Sequence, residues 1–555
     1  MSHSSSSELP PSNPKRERLK FTTKLAYGAG DIGPAITANV LVFFLLYFFT
    51  QVAGLPPGMA GSILMIGKVS DAINDPIVGV LSDRTSSRWG RRIPWIFFGA
   101  IPFGILFLLQ WIVPNISEND TVNDWWLFAY YVLIGILFNI AYTIVNLPYT
   151  ALTPELTQDY NERTSLNSFR FAFSIGGSIL SLILAQVIFN IFPNNGIRQY
   201  FFLALICSII SILALFWCVS IIQERGRNPI LSTRRKKILG KILTPVSIIF
   251  FIYGIGNVIF STNELSIVVI FAIILGLTLA AFGLTLLFYR PEENLRNQQA
   301  EQQREEIETT PSLPLKQQFK IAFTNKPFLY VIGIYLCSWL AVQLTASILI
   351  YFVVSWMGLP ENNFASVAIA VQGTALVMLF FWKWVSEKVG KKAVYFMGTT
   401  IWIIAQAGLF FIQPGQVPLL YTLAIMAGIG VSVAYLIPWS MLPDVIDLDE
   451  LQTGQRREGI FYAFMVFLQK MGLALGLFLV GLVLEAAGFI ERVPGQPIPV
   501  QPESALLAIR IAVAPLPMVA LVGGVILAYF YPLSQQVHSE IMLKLQERKS
   551  DVKEM

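Results

Sequence analysis

About fourteen stretches of this chain stay apolar for roughly the 20 residues that a helix needs to cross a bilayer. They lie near 30–52, 58–82, 94–113, 125–149, 167–192, 199–222, 243–262, 265–289, 327–356, 362–384, 393–413, 417–442, 459–488 and 507–532. Backbone amides at that depth meet no water, so each run must satisfy its hydrogen bonds internally. The fold expected is an all-α polytopic membrane protein. With 55% of residues hydrophobic and 13% charged, the charges fall between the runs rather than within them.

That distribution excludes several function classes. Cys207, Cys218 and Cys337 sit in apolar runs without metal-ligand spacing, and His3 and His538 sit in the polar tails. Neither a zinc site nor histidine catalysis is indicated. No nucleophile and base pair, phosphate loop or metal cluster is present, so an enzyme is not expected, and no cofactor or metal beyond a coupling cation is implied. The formal charge of +5 is explained by basic loops and needs no nucleic acid.

Basic residues also set the topology. Arg84, Arg88, Arg91 and Arg92, then Arg225, Arg227 and Arg234 to Lys237, and later Lys388, Lys391 and Lys392 fall on one side; little beyond Arg198 and Arg492 falls on the other. The positive-inside rule places both termini in the cytoplasm, with the protein in the plasma (inner) membrane. The organisation read from the sequence is a cytoplasmic tail over 1–24, a six-helix bundle over 25–225, a linker over 226–326, a second six-helix bundle over 327–535 and a tail over 536–555. The linker holds an extra transmembrane hairpin at about 243–289, with Thr262, Asn263 and Glu264 at its turn, and then a Glu- and Gln-rich cytoplasmic loop. An even number of added crossings leaves the topology of the twelve core helices unchanged.

The two halves repeat one another. Ser82, Asp83 and Arg84 followed by Gly90, Arg91 and Arg92 recur as Ser386, Glu387 and Lys388 followed by Gly390, Lys391 and Lys392. NLPYTALTPEL at 146–156 recurs as LIPWSMLPDVI at 436–446. Two parallel halves are the sequence signature of one class of transporter. Asp83, Arg84, Arg91 and Arg92 are the expected gating residues, able to pair with neighbouring helix ends and latch the cytoplasmic side; topology alone would also place arginines there.

The costliest residues lie inside the second run, where DAINDP at 71–76 places Asp71 and Asp75 at membrane depth. An ionised Asp there costs roughly 2.5–3.5 kcal/mol on insertion scales, which favours a functional ion site over packing. Positions 71, 74 and 75 share one helical face, with the two acids about 6 Å apart along the axis. Asp71, Asn74 and Asp75 offer hard oxygens suited to a proton or an alkali cation rather than a soft metal. Lys68, three residues earlier, is the alternative partner. Lys470 is the other ionisable group near the middle of a run.

GVLSDRTSSRWGRRIP at 79–94 resembles the loop signature of the major facilitator superfamily. KLAYGAGDIG at 24–33, LLYFFTQVAGL at 45–55 and DAINDPIVGVLSDRTSSRWGRRIPWI at 71–96 resemble the glycoside-pentoside-hexuronide:cation symporters, a family typified by melibiose permease. The resemblance implies two six-helix bundles and alternating access, with Asp71, Asn74, Asp75 and Thr143 (from AYTIVN) binding sodium or a proton. It further implies that Lys470 communicates with the cation site and that Arg170, in NSFRFAF, lies near the substrate.

Two acids that hold sugar in that family are replaced here by Ala35 and Asn146. Tyr142, Asn146, Tyr149, Arg170 and Trp339 are the candidate substrate residues, with Trp439 as a further stacking aromatic; packing or interface anchoring is the alternative role of the aromatics. IPWSMLPDVIDL at 437–448 and GKKAVY at 390–395 are similar to the sodium-dependent lysophosphatidylcholine symporter branch, which also lacks the sugar acids. The expected partners are therefore a monovalent cation, the bilayer, and either a sugar, glycoside or related small solute or a lysolipid, taken up by a monomer. A non-transporting sensor is the reading of another class, and Asp71, Asp75 and Lys470 argue against it because idle intramembrane charge is costly.

Overall fold

The computed structural model describes residues 19–115, 117, 119–157, 160–193, 195–224, 228–260, 267–288, 321, 323–453, 458–491 and 499–554. Among these residues every regular element is helical. The first half comprises α1 (Phe21–Ala29), α2 (Ile32–Gln51), α3 (Pro57–Arg84), α4 (Ile93–Leu109), α5 (Asp120–Thr150), the short α6 (Thr153–Leu156), α7 (Tyr160–Ile191) and α8 (Gly196–Ile221). The hairpin is α9 (Thr233–Phe260) and α10 (Ile267–Leu287). The second half comprises α11 (Lys326–Tyr351), extended by a π-helical turn over Phe352–Trp356, α12 (Glu361–Val389), α13 (Lys391–Phe411), α14 (Val417–Thr453), α15 (Glu458–Ala486), α16 (Glu503–Val513) and α17 (Pro515–Phe530), before a terminal α18 (Gln535–Glu554).

Local chemistry sets these boundaries. Asn119, Asn195 and Asn325 accept hydrogen bonds from the first-turn amides of α5, α8 and α11, satisfying donors that the helices cannot pair themselves. α1 and α2 form one span broken at Gly30–Asp31, and a Cβ at Gly30 would meet the Tyr149 ring and Cys218 Sγ. Among the described residues, eleven spans are long and apolar enough to cross a membrane. The shorter apolar α4 and α10, and α3, whose apolar character is diluted by Lys68, Asp71 and Asp75, bring the crossings to the expected fourteen. Several spans start earlier than their apolar runs, most of all α1 at Phe21 rather than near 30, and α9 at Thr233 rather than near 243. In both, polar or basic residues of the first turns continue the helix N-terminal to the apolar run.

The hairpin packs outside the first half. Phe282 and Leu286 of α10 bury against Ala26 and Ala29 of α1 and Trp217 and Ile221 of α8. α9 and α10 approach closely because Gly276 leaves no room for a Cβ, which would lie 3.0 Å from the Ser247 carbonyl. The turn residues Thr262, Asn263 and Glu264 lie outside the described residues.

On the side away from the termini the halves are tied across a polar seam. Thr50 Oγ1 lies 2.7 Å from Tyr351 OH, Tyr47 OH donates to Glu361 (3.0 Å), Gln186 Nε2 donates to Ser366 Oγ (2.6 Å) and Gln372 Nε2 donates to Asn39 Oδ1 (3.0 Å). Phe364 of α12 packs edge-on against Phe43 and Phe44 of α2. On the terminus side, Lys24–Glu162, Arg91–Glu155 and Lys391–Asp444 each join helices of the same half. The seam is thus closed on the side opposite the termini.

Candidate cation site

The two acids of α3 converge with one residue from each half. Thr143 of α5 places Oγ1 3.0 Å from Asp71 Oδ1 and 3.0 Å from Asp75 Oδ1. Lys470 of α15 places Nζ 3.1 Å from Asp71 Oδ2 and 2.5 Å from Asp75 Oδ2. Lys68 stands farther off, 3.9 Å from Asp71 Oδ2. Asp71 and Thr143 are each 1% exposed, so this is charge held inside protein rather than facing lipid.

The arrangement has a specific chemical consequence. A threonine hydroxyl has one proton, so it donates to one carboxylate at a time and keeps lone pairs free for a cation. The Oδ1 atoms face Thr143 and the Oδ2 atoms face the ammonium, so Lys470 stands where a bare cation bridging the pair would. Burying two carboxylates costs several kcal/mol per ion unless they are compensated, and Lys470 supplies that compensation. The pairing of one acid with Lys68 alone is not what the helices build.

The other expected residues are less uniformly placed. Asn74 donates to Ser70 Oγ (3.1 Å) on its own helix rather than to the carboxylates. Tyr142 is half-buried against Phe103 and Phe138. Asn146, one turn beyond Thr143, is half-buried with no hydrogen bond to its amide among the described residues. Tyr149 departs from the expectation of a pocket-lining aromatic: it is fully buried, stacks on Tyr27 at 5.1 Å and donates to the Tyr27 carbonyl (2.6 Å), tying α5 to α1. Arg170 lies over the Phe171 ring at 4.9 Å, and its charge acts on Asp31, which accepts from Ser174. Trp339 stacks on Tyr335 and meets Tyr435 edge-on, and its buried Nε1 has no acceptor among the described residues. Trp439 packs on Tyr335 and Tyr462.

From Tyr435 a narrow apolar cleft, with about 50 Å³ of free volume, runs between α11, α12, α13 and α14. Leu349, Val371 and Trp402 line it, and Gln372 and Phe43 stand at the seam between the halves.

The repeated basic loops are built alike. Arg91 pairs with Glu155, and Lys391 pairs with Asp444 at 2.7 Å, so the two sequence echoes of each half meet in space. Glu224 accepts from the amides of Arg91 (2.8 Å), Arg92 (2.8 Å) and Ile93 (2.9 Å), capping α4. Gly90 turns under it with φ 116°. Arg92 reaches Ser82 Oγ at 3.3 Å, Arg84 is exposed, and the side chain of Asp83 lies outside the described residues. His538 of α18 sits 3.1 Å from Asp447, docking the terminal helix on α14.

Asp31 and Glu224 were not among the expected site residues. Each is a lone acid at the edge of an apolar run, in GAGDIG and IIQERGR, and that isolation was the available signal.

The chain matches the family model described as MFS/sugar transport protein over residues 26–243 and 237–535. It is 59% identical over 543 residues to an uncharacterized symporter of Synechocystis sp., covering 96% of this chain and 98% of that one. It is 26% identical over 541 residues to sodium-dependent lysophosphatidylcholine symporter 1-A of Danio rerio, covering 95% and 89%. In fold it is similar to the crystal structure of a D-xylose-proton symporter, with TM-score 0.54, 14% identity and coverage of 92% and 97%.

Proposed function

The chain belongs to the MFS/sugar transport protein family, and from that premise we propose that it is a cation-coupled symporter whose coupling ion binds at Asp71, Asp75 and Thr143. The observation that carries this reading is Lys470, a residue of the second half whose ammonium lies within 3.1 Å of both carboxylates of the first. A cation entering between Asp71 and Asp75 displaces Lys470 and so alters a tie between the two halves. Ion occupancy and the rocking of the halves then become one equilibrium, which is what coupled alternating access requires. All-oxygen ligands favour sodium or a proton. Each charge carried inward gains about 2.3 kcal/mol per 100 mV of membrane potential.

The seam closed away from the termini, together with the basic loops on the terminus side, supports an inward-facing state with both termini in the cytoplasm. Arg91–Glu155 and Lys391–Asp444, each made within one half, are proposed to brace the cytoplasmic helix ends of that half while this side is open, with Arg84 and Arg92 as further gating residues of the first half. Asn146, Tyr142, Arg170 and the unpaired indole N–H of Trp339 are the proposed contacts for a sugar, glycoside or related small solute.

One observation favours a second solute class: the narrow cleft beginning at Tyr435, which contacts Trp339, is lined almost wholly by apolar side chains and would serve an acyl chain if the second half opened to widen it. A lysophospholipid would lay its tail there and its headgroup toward the polar residues. Thermal stability of the purified protein, measured with sugars and with lysolipids in the presence and absence of sodium and across pH, tests both. Sodium-enhanced stabilisation by one class identifies the solute; no cation-dependent response to either would overturn the coupled reading.

A further inference from the structure

The hairpin α9–α10 is extraneous to the two repeated halves, yet its first turns carry a concentration of charge that the cation site does not use. Arg234, Arg235, Lys237 and Lys241 are exposed on the opening turns of α9, and no acid accompanies them in the first turn. A helix N-terminus is itself the positive end of the backbone dipole, so cations there repel it and one another unless an anion is supplied. Among the described residues these four have no acidic partner. Lys236 turns the other way: it is fully buried, with Nζ 3.3 Å from the Ile221 carbonyl at the end of α8, and it fixes the basic turns against the first half.

The same helix shows what lies beside it. Ile238, Ile242, Ile249 and Ile252 are 50–66% exposed and share one face with Arg234 and Lys241 by their three- and four-residue spacings. Arg234 and Lys241 are about 10 Å apart along the axis, comparable to the depth of a headgroup layer. A stripe that is basic at its base and isoleucine-rich above matches the order of headgroup and acyl chain in a leaflet.

We propose that this face of the hairpin is a docking surface for anionic phospholipids, whose phosphates pair with Arg234, Arg235, Lys237 and Lys241 while their chains lie along the isoleucine stripe. Charge complementarity selects anionic over zwitterionic lipid. The hairpin then acts as an outrigger that holds the first half, through Phe282 and Leu286 on α1 and α8, at a fixed depth in an anionic leaflet while the second half moves.

The test is the melting temperature of the full-length protein in nanodiscs of phosphatidylglycerol and of phosphatidylcholine with identical acyl chains. Phosphatidylglycerol is expected to stabilise by several degrees, with an apparent preference of about tenfold, and the variant R234Q/R235Q/K237Q/K241Q is expected to lose that preference while melting as wild type does in phosphatidylcholine. Equal stabilisation by both lipids, or a preference surviving in the variant, overturns the proposal. The acidic linker is the rival anion: if Glu→Gln changes at 292, 293, 301, 305, 306 and 308 destabilise the protein in phosphatidylcholine as the basic-turn variant also does, the basic turns are held by the chain itself and the proposal fails. Stabilisation by inorganic phosphate alone overturns it as well.

Discussion

Replacing Lys470 with methionine removes the ammonium and keeps the bulk of the side chain, which isolates its electrostatic role. In the wild type that ammonium lies 3.1 Å from Asp71 and 2.5 Å from Asp75, and Asp71 is 1% exposed, so the pair is little screened by solvent. Removing one partner of a buried ion pair costs about 3–5 kcal/mol. Lys68, 3.9 Å from Asp71, and the partial exposure of Asp75 place the loss near the lower bound, about 3 kcal/mol. That energy is what an arriving cation must overcome to displace Lys470, so the variant should bind the cation about a hundredfold more tightly. Melting curves across a sodium titration at constant ionic strength, and across pH for a proton, measure it. The cation-free variant should melt below wild type, and its stabilisation should reach half-maximum at about a hundredfold lower concentration. Accumulation of solute should nevertheless fail, because the empty carrier has no internal cation for its return. An unchanged titration midpoint would refute the displacement argument, whatever happened to uptake.

Asp71→Asn and Asp75→Asn should each abolish cation-driven accumulation while leaving solute exchange in proteoliposomes; normal concentrative uptake by either variant removes that acid from the site. Thr143→Val deletes one neutral hydroxyl at the pair and should weaken cation binding about tenfold, near the upper range for one hydrogen bond, read from the same titration. Gly90→Ala forces a side chain into φ 116° and onto the Glu224 carboxylate, and the loss of the α4 cap should destabilise by about 2–4 kcal/mol in thermal unfolding. Gln186→Cys paired with Ser366→Cys, whose parent side chains are 2.6 Å apart across the seam, should block uptake when oxidised and recover on reduction; transport by the oxidised form would show that this seam does not open.

Much of this was legible in the sequence for identifiable reasons. A bilayer imposes one length and one polarity on every span, so apolar runs locate helices without knowledge of their neighbours. Asp71 and Asp75 stood out because charge at that depth is expensive. Their partners Thr143 and Lys470 were named only through the family resemblance: nothing local to FLQKMGLALG says that Lys470 reaches across to α3, and the packing of α15 on α3 supplies the contact itself. Tyr149 carries the reverse lesson. As an aromatic in an apolar run it could stack on a solute or pack, and its hydroxyl is spent on the Tyr27 carbonyl, which only tertiary structure reveals. Glu224 escaped because a single acid among basic loop residues reads as surface charge until the three amides it caps are seen.

Charge displacement in proteoliposomes on a solid-supported membrane addresses the central claim without knowledge of the solute. A jump in sodium or in proton concentration should drive a transient current in the wild type, and the same jump should give none in Asp75→Asn. A current of equal size in that variant, or no current in the wild type with either cation, would contradict ion binding at the α3 acids.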